Sequence, residues 1–358
     1  MNLTAPAPAL LAAAKLAAAT ATTRTPQDAL GWVRLTADID RITLTATDLE
    51  SWSETHVEAA VTEPGDVCVS ARELPAVLPK SGDVTIALDG EALCVGGANL
   101  RATLRTRSLP HFPTIAASTR THAATVASAD LARLLDATKR FAAETWRPNL
   151  CGYRLVIDCG EAVMMATNGH TMARAYADAA TDGVIAETLP PKAAKLVRMI
   201  CGAGNAEIAH AGVNVAVTVG QSTVWTRPID GVFPSFRGII PEPGPVCEFD
   251  RREMLAAVRS LAKFVQVRRG AQPVRLRLMA SGIEASGRND DHMHMALAVA
   301  AATVRFAEFL IDARYLVAVL STMTTARVTM QSGGPLLPAV FRGVDDPSAL
   351  WIVMPCRL

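Results

Sequence analysis

The sequence predicts an α+β protein of three tandem domains, each an antiparallel sheet with one long and one short helix, the helices lining a pore and the sheets outside. Three observations predict this. In Ser128 to Ala142, residues Leu131, Leu134, Leu135, Thr138 and Phe141 recur at helical spacing, with Arg133 and Arg140 on the other side. The design returns after Asp250, where Met254, Leu255, Val258, Leu261 and Val265 face inward and Arg252, Arg259 and Lys263 outward; a weaker version near the start has Leu10, Leu11, Ala14, Ala18 and Lys15. Short second helices starting at Ala71, Pro191 and Ala313, and the phrases Phe112-Pro113 and Phe233-Pro234, keep the same period of about 120 residues.

A chain of 358 residues can bury two or three separate cores, and the period divides it at 1–120, 121–244 and 245–358. In the first segment the long helix precedes strands at Trp32 to Leu35, Ile39 to Thr45 and Ser51 to Val61. Val67 to Ser70 leads into the short helix limited by Pro75 and Pro79, and strands at Val84 to Leu88 and Ala92 to Val95 follow. The second segment repeats the order with strands at Tyr153 to Asp158, Ala162 to Ala166 and Ala173 to Ala179. Its short helix is PPKAAKLVRMI, opened by prolines a helix start tolerates, and strands follow at Glu207 to His210, Asn214 to Val219 and Gln221 to Trp225. In the third, strands at Val274 to Met279, Gly282 to Ser286 and Met293 to Ala300 precede DARYLVAVLSTM. The last strands run through Ala326 to Met330, Pro338 to Arg342 and Leu350 to Met354.

The formal net charge is only +1, yet the bases gather on the helices. With helices inward, Lys15, Arg72, Lys80, Arg133, Lys139, Arg140, Lys192, Lys195, Arg198, Arg252, Arg259, Lys263 and Arg314 would form a wall that attracts a polyanion without reading its sequence. The seven cysteines are odd in number and lack close CxxC pairs, so they read as reduced thiols in a cytosolic setting. The alanine-rich N-terminus has no basic n-region and reaches Lys15 after a short apolar run, which argues against a signal peptide or membrane span.

Candidate chemical sites are set aside on their spacing. In DDHMH, His292 and His294 alternate onto one side of a strand without a further convergent ligand, so no metal is expected. Gly202 to Gly204 lack the lysine and hydroxyl of a phosphate loop, and Cys151 and Cys159 have no paired histidine. No convincing set of carboxylates, hydroxyl and base supports a hydrolase or transferase, so neither a catalytic residue nor a cofactor is expected.

The repeats, with ATNGHTMARAY at Ala166 to Tyr176 and the terminal WIVMPCRL, resemble the beta subunit of bacterial DNA polymerase III, the sliding clamp family. LTATDLESW near Leu44, RSLPHFPTI near Arg107 and DGVFPSFRGIIP near Asp230 carry the likeness along the whole chain. The resemblance implies a non-enzymatic homodimer closed head to tail, a six-domain ring around duplex DNA that keeps the replicative polymerase on its template. Its implied partners are a clamp loader, the catalytic subunit of DNA polymerase III, and other polymerases and repair proteins that insert short apolar motifs. Its location would be cytoplasmic and nucleoid-associated, with no membrane partner.

By the same resemblance the partner pocket comprises Leu150, Thr167, Gly169, His170, Thr171 and Met172, with Pro241 and Val246. The tail adds Ile352, Val353, Met354, Pro355, Cys356, Arg357 and Leu358. Leu150, Met172, Ile352 and Met354 offer adaptable apolar surface, and His170 and Arg357 can fix a peptide backbone or carboxylate. Arg24 and Arg147 are implied contacts at the DNA-facing side of the ring, and Leu104, Thr106, Lys263 and Phe264 mark the dimer contact, with Leu104 equally readable as core. Where the family usually has Asp-Gly-His-Arg-Leu, this chain has Asn168-Gly169-His170-Thr171-Met172, which points to an altered partner preference and leaves a specialised clamp, or a non-DNA scaffold of the same shape, as alternatives.

Overall fold

A computed structural model of the chain describes residues 1–22, 28–97, 100–115, 120–144, 147–234, 238, 240, 246–265, 267, 270–279, 282–288, 294–303, 307–332 and 334–356. Among these are six α-helices: α1 (Ala7–Thr20), α2 (Leu74–Val77), α3 (Ser128–Thr138), α4 (Pro191–Ile200), α5 (Arg251–Phe264) and α6 (Ala313–Thr322). All strand pairs described below are antiparallel. The chain groups into two compact units, residues 1–132, 157–160 and 178–229 in one and 133–156, 161–177 and 230–358 in the other.

In the first unit, Trp32–Asp38, Arg41–Thr47 and Ser51–Glu58 form a meander, and Gly65–Ser70 pairs with the outer side of Trp32–Asp38. Alternation decides the faces: Val33, Leu35 and Ala37, then Ile42, Leu44 and Ala46, are buried with Leu10 and Leu74 in one core. Asp83–Asp89, Ala92–Gly97 and Leu100–Arg107 form a second meander, whose first strand pairs with Asn2–Pro6. That N-terminal strand was not expected from the sequence. Ser51–Glu58 also pairs on its free edge with Ser222–Thr226, setting Trp52 opposite Trp225, and the ladder continues through Asn214–Val219 and Asn205–Ala211 to Arg120–Ala127.

The second unit has two ladders. Val246–Asp250 pairs with Arg327–Gln331, which pairs with Ala339–Gly343, then Ala349–Val353, and finally the Thr171–Ala175 part of the strand Thr171–Thr181. The other runs His294–Val299, Gly282–Arg288, Pro273–Met279, Ala307–Asp312. α5 buries Met254, Leu255, Val258 and Leu261, and the Asp250 side chain accepts a hydrogen bond from the Glu253 amide, a cap of about 1 kcal/mol. Gly287 is required where α5 closes on the sheet, because a Cβ there would stand 2.3 Å from Val265 Cγ2.

Each long helix follows directly from a strand: Asn2–Pro6, Arg120–Ala127 and Val246–Asp250 lead into α1, α3 and α5. α3 ends at Thr138, short of the expected Ala142. The Thr138 hydroxyl donates back to the Leu134 carbonyl at 2.9 Å, and the Phe141 amide reaches the Thr138 carbonyl, closing the helix with a turn that still buries Phe141.

Candidate functional site

The strand Glu161–Thr167 turns into Thr171–Thr181 through a tight loop built by its own side chains. Asn168 Oδ1 accepts from the His170 amide at 2.9 Å, the Thr171 amide at 2.8 Å and the Thr171 hydroxyl at 3.1 Å. Thr167 Oγ1 donates to the Thr171 carbonyl at 2.8 Å and accepts from the Gly169 amide, whose residue has φ of 87° and so favours glycine. The same construction stands in the first unit: Asp48 Oδ1 accepts from the Glu50 and Ser51 amides, Thr47 Oγ1 donates to the Ser51 carbonyl, and Leu49 takes the positive φ. One turn design is therefore used twice, about 120 residues apart.

The loop holds His170 exposed, and its imidazole lies on the ring of Tyr315, centroids 5.8 Å apart and planes 14° from parallel. Tyr315 sits in the first turn of α6 beside Asp312, a buried carboxylate that caps the helix through the Arg314 amide and takes the Arg314 guanidinium in a salt bridge of 2.6 Å. Burial raises the Tyr315 hydroxyl above its ordinary value, with Asp312 adding to the effect. The tail passes between these elements. The Met354 amide donates to the His170 carbonyl at 2.9 Å, and the Cys356 amide to the Leu310 carbonyl at 2.7 Å.

Next to the loop, Met172, Val340, Leu350 and Ile352 form a small buried apolar cluster against which Ile240 packs. Strand register assembles it: Met172 is opposite Ile352, which is opposite Val340. The exposed His170 stacked on Tyr315, the exposed Met354 and a fixed extended tail, backed by this buried cluster, together suit a short apolar peptide with a few oriented backbone contacts.

The expected pocket residues divide as follows. Gly169, His170, Thr171, Met172, Ile352, Val353 and Met354 are brought together, and Thr167 braces their turn. Pro355 and Cys356 are half-buried, and burial pushes the Cys356 thiol up. Leu150 is buried at the end of the 3-10 turn Pro148–Leu150. Pro241, Arg357 and Leu358 lie outside the described residues, and of Val246 only the backbone is described. Tyr315 was not foreseen; one aromatic at a helix start carries no signal that would place it against residue 170. Nor was the position of Arg147, exposed, with Nη1 3.5 Å from where a Cβ on Gly169 would stand, which puts it at this turn.

The expected basic wall is altered in three places. Arg133 does not stand outward: its guanidinium donates to Ser348 Oγ at 2.6 Å and to the Tyr176 carbonyl at 3.0 Å. Lys192 donates to the Thr20 carbonyl and to Asp48, both at 2.5 Å, and Arg314 is held by Asp312 and by the Gly270 carbonyl. Arg133 and Lys192, both half-buried, exchange an open cationic role for a structural one, whereas Arg314 stays exposed beside its partners. Lys15, Arg72, Lys80, Arg140, Lys195, Arg198, Arg252 and Lys263 are exposed; so are Lys139, paired with Asp136 at 3.0 Å, and Arg259, bonded to Ser321 at 3.2 Å. Arg24 lies outside the described residues. At the expected dimer contact, Lys263 is exposed and Phe264 half-buried, whereas Leu104 belongs to the first unit's core and Thr106 donates to the Glu91 carbonyl at 2.7 Å.

Among the described residues no three histidines, cysteines or carboxylates form a metal-binding group; Asp290 to Met293 lie outside them, and His294 is exposed. The seven cysteines are free thiols. Burial pushes Cys68 and Cys247 up to about 11, which makes them poor nucleophiles. Among the described residues, no helix is long and apolar enough to cross a membrane.

Residues 1–116 match the family model of the DNA polymerase III beta subunit, N-terminal domain. The chain is 27% identical over 348 residues to the beta sliding clamp of Vibrio cholerae, covering 92% of each, and 25% identical over 375 residues to that of Pseudomonas aeruginosa, covering 100% of each. It is similar throughout to the crystal structure of a Pseudomonas aeruginosa sliding clamp bound to griselimycin, with a TM-score of 0.92, 25% identity and 100% of both chains covered. The repeated helices and turns and this likeness along the whole length make the chain similar throughout to the beta sliding clamps, the DNA polymerase III beta subunits, with its first 116 residues matching their N-terminal domain.

Proposed function

We propose that two copies of this chain close head to tail into a six-domain ring around duplex DNA and hold the replicative polymerase, and repair proteins carrying short apolar motifs, on their template. A clamp loader opens and places the ring. The observation that carries the partner role is the tail fixed at both the His170 and Leu310 carbonyls, beside the buried apolar cluster of Met172, Val340 and Ile352. Exposed Lys15, Arg72, Lys80, Arg140, Lys195, Arg198, Arg252 and Lys263, with Lys139 and Arg259 beside them, support a sequence-independent inner wall that gives affinity without stalling movement. Arg24 belongs to this reading by resemblance, and Arg147 is reassigned to the partner site.

The three domains are 1–120, 121–244 and 245–358, the dimer joint forming between the outer strand Leu100–Arg107 and the end of α5 in the second copy, around Lys263 and Phe264. Leu104 contributes its backbone edge there, its side chain being inside, and pairing across the joint would cover an open sheet edge.

Retention on nicked circular DNA after loading, compared with the same DNA linearised, tests enclosure. Loss only on linearisation supports the ring; absence from circles that a control clamp occupies rejects it. Asn168, Thr171 and Met172 favour a second reading, an accessory clamp of different partner preference, which competition between partner peptides of the two clamps would separate.

A further inference from the structure

We infer that the first unit carries a peptide site of its own, on the face of its sheet turned away from the core, and that the site takes an extended basic segment of a partner protein. It is independent of the tail pocket. A cleft of about 690 Å³ opens on this face, a size that suits a bound ligand. Residues of Trp32–Asp38, Arg41–Thr47 and Ser51–Glu58 line it, together with Trp225 and with Thr114 and Ile115 from the connection after Leu100–Arg107. Charge gives the ligand its first requirement. Both arginines of the cleft are already matched: Arg34 donates to Asp66 through Nε and Nη2 at 2.8 and 2.6 Å, and Arg41 donates to Asp40 at 2.9 Å, with Asp38 and Glu58 close enough to favour its charge further. Asp38 itself is hydrogen-bonded, among the described residues, to the Ile39 amide alone. Glu54 has His56 at 3.4 Å, which counters its charge only when protonated. The cleft therefore holds more acid than base and attracts a cation.

Trp52 gives the second requirement. Its indole nitrogen is buried and has no acceptor among the described residues, an unmet donor that a ligand carbonyl would satisfy. Trp225 stands directly across the ladder from it, and Glu54 is two residues along on the same face. A guanidinium laid over these indoles meets an aromatic face and a carboxylate together. A polypeptide supplies both parts, a backbone carbonyl for Trp52 and basic side chains for the carboxylates. Register sets their spacing. Arg34 is opposite Thr45 and Thr45 opposite Glu54, so Asp38 lies four positions beyond Glu54 along the strand direction, about 13 Å, the separation of residues i and i+4 in an extended chain.

The test uses the full chain and two labelled serine peptides, one carrying a pair of arginines four residues apart and the other a pair of glutamates at the same places. By fluorescence anisotropy the arginine peptide should bind the native chain about tenfold more tightly than the glutamate peptide. The double substitution Asp38→Asn with Glu54→Gln, which keeps size and the acceptor for the Ile39 amide, should remove that preference. Trp52→Phe should weaken the arginine peptide about fivefold and leave the melting temperature unchanged, because the N–H it deletes bonds to nothing described in the free chain. Equal binding of the two peptides to the native chain, or a preference that survives the double substitution, overturns the site. Full affinity in Trp52→Phe overturns the carbonyl contact and the extended pose that depends on it.

Discussion

The imidazole of His170 lies flat against the phenol ring of Tyr315, and these rings come from elements 145 positions apart in sequence, the Asn168 turn and the first turn of α6. Tyr315→Ala should therefore weaken binding of an apolar anchor peptide by about tenfold, whereas Tyr315→Phe keeps the stack and most of the affinity. Fluorescence anisotropy with both variants decides this. Equal loss in both would assign the effect to the hydroxyl.

Asn168 acts on the turn through one oxygen. Asn168→Asp preserves that acceptor, as Asp48 does in the matching turn, so thermal stability should stay within about 0.5 kcal/mol, while Asn168→Ala should cost about 1–2 kcal/mol. Chemical denaturation of the two variants measures the difference, and equal stability would show that the turn does not depend on its side-chain bonds.

Arg133 is predicted to matter for stability and not for DNA. Arg133→Met removes its bonds to Ser348 and the Tyr176 carbonyl at a cost of about 1–3 kcal/mol, with retention on circular DNA unchanged. Reversing charge at Lys15, Lys195 and Lys263 together should do the opposite: retention falls steeply with salt, and the unfolding midpoint barely moves. Measuring both quantities on both proteins tests the division.

Trp351 donates its indole N–H to the Ala137 carbonyl at 3.1 Å in a buried setting. Trp351→Phe should lose about 1–3 kcal/mol, chiefly by leaving that carbonyl without its donor, and a urea titration reads it directly.

Acid should act in part through Asp66. Hydrogen bonds from Arg34 hold its carboxyl below the ordinary value, so its contribution is complete above the unfolded-state value of about 3.9 and is lost as pH falls through the lower folded value. The gap in stability between the native chain and Asp66→Asn should be present at neutral pH and close in that acid range. Because both side chains are partly exposed, added salt should narrow the gap too.

Much of the architecture was legible because helical stripes and strand alternation are local. α1, α3 and α5 announce themselves by spacing. The strands Asn2–Pro6 and Arg120–Ala127 were missed because one is short and ends in proline, while the other is largely alanine, threonine and polar residues; both depend on distant pairing, with Asp83–Asp89 and Asn205–Ala211. Arg133 was misread for a related reason. A helical wheel shows which residues share a face, but the groups that claim this guanidinium lie 43 and 215 positions away. The pocket residues at 169–172 and 352–354 came from resemblance to a family, since neither segment declares its partner.

The pairing of Ser51–Glu58 with Ser222–Thr226 sets two tryptophans directly opposite each other, Trp52 against Trp225. As cross-strand neighbours the two indoles give this joint an intrinsic pair of chromophores, whose environment changes if the strands part. Without any label, near-ultraviolet circular dichroism would therefore report whether the joint stays closed while the protein is loaded, strained or unfolded, with Trp225→Phe as the spectroscopic blank.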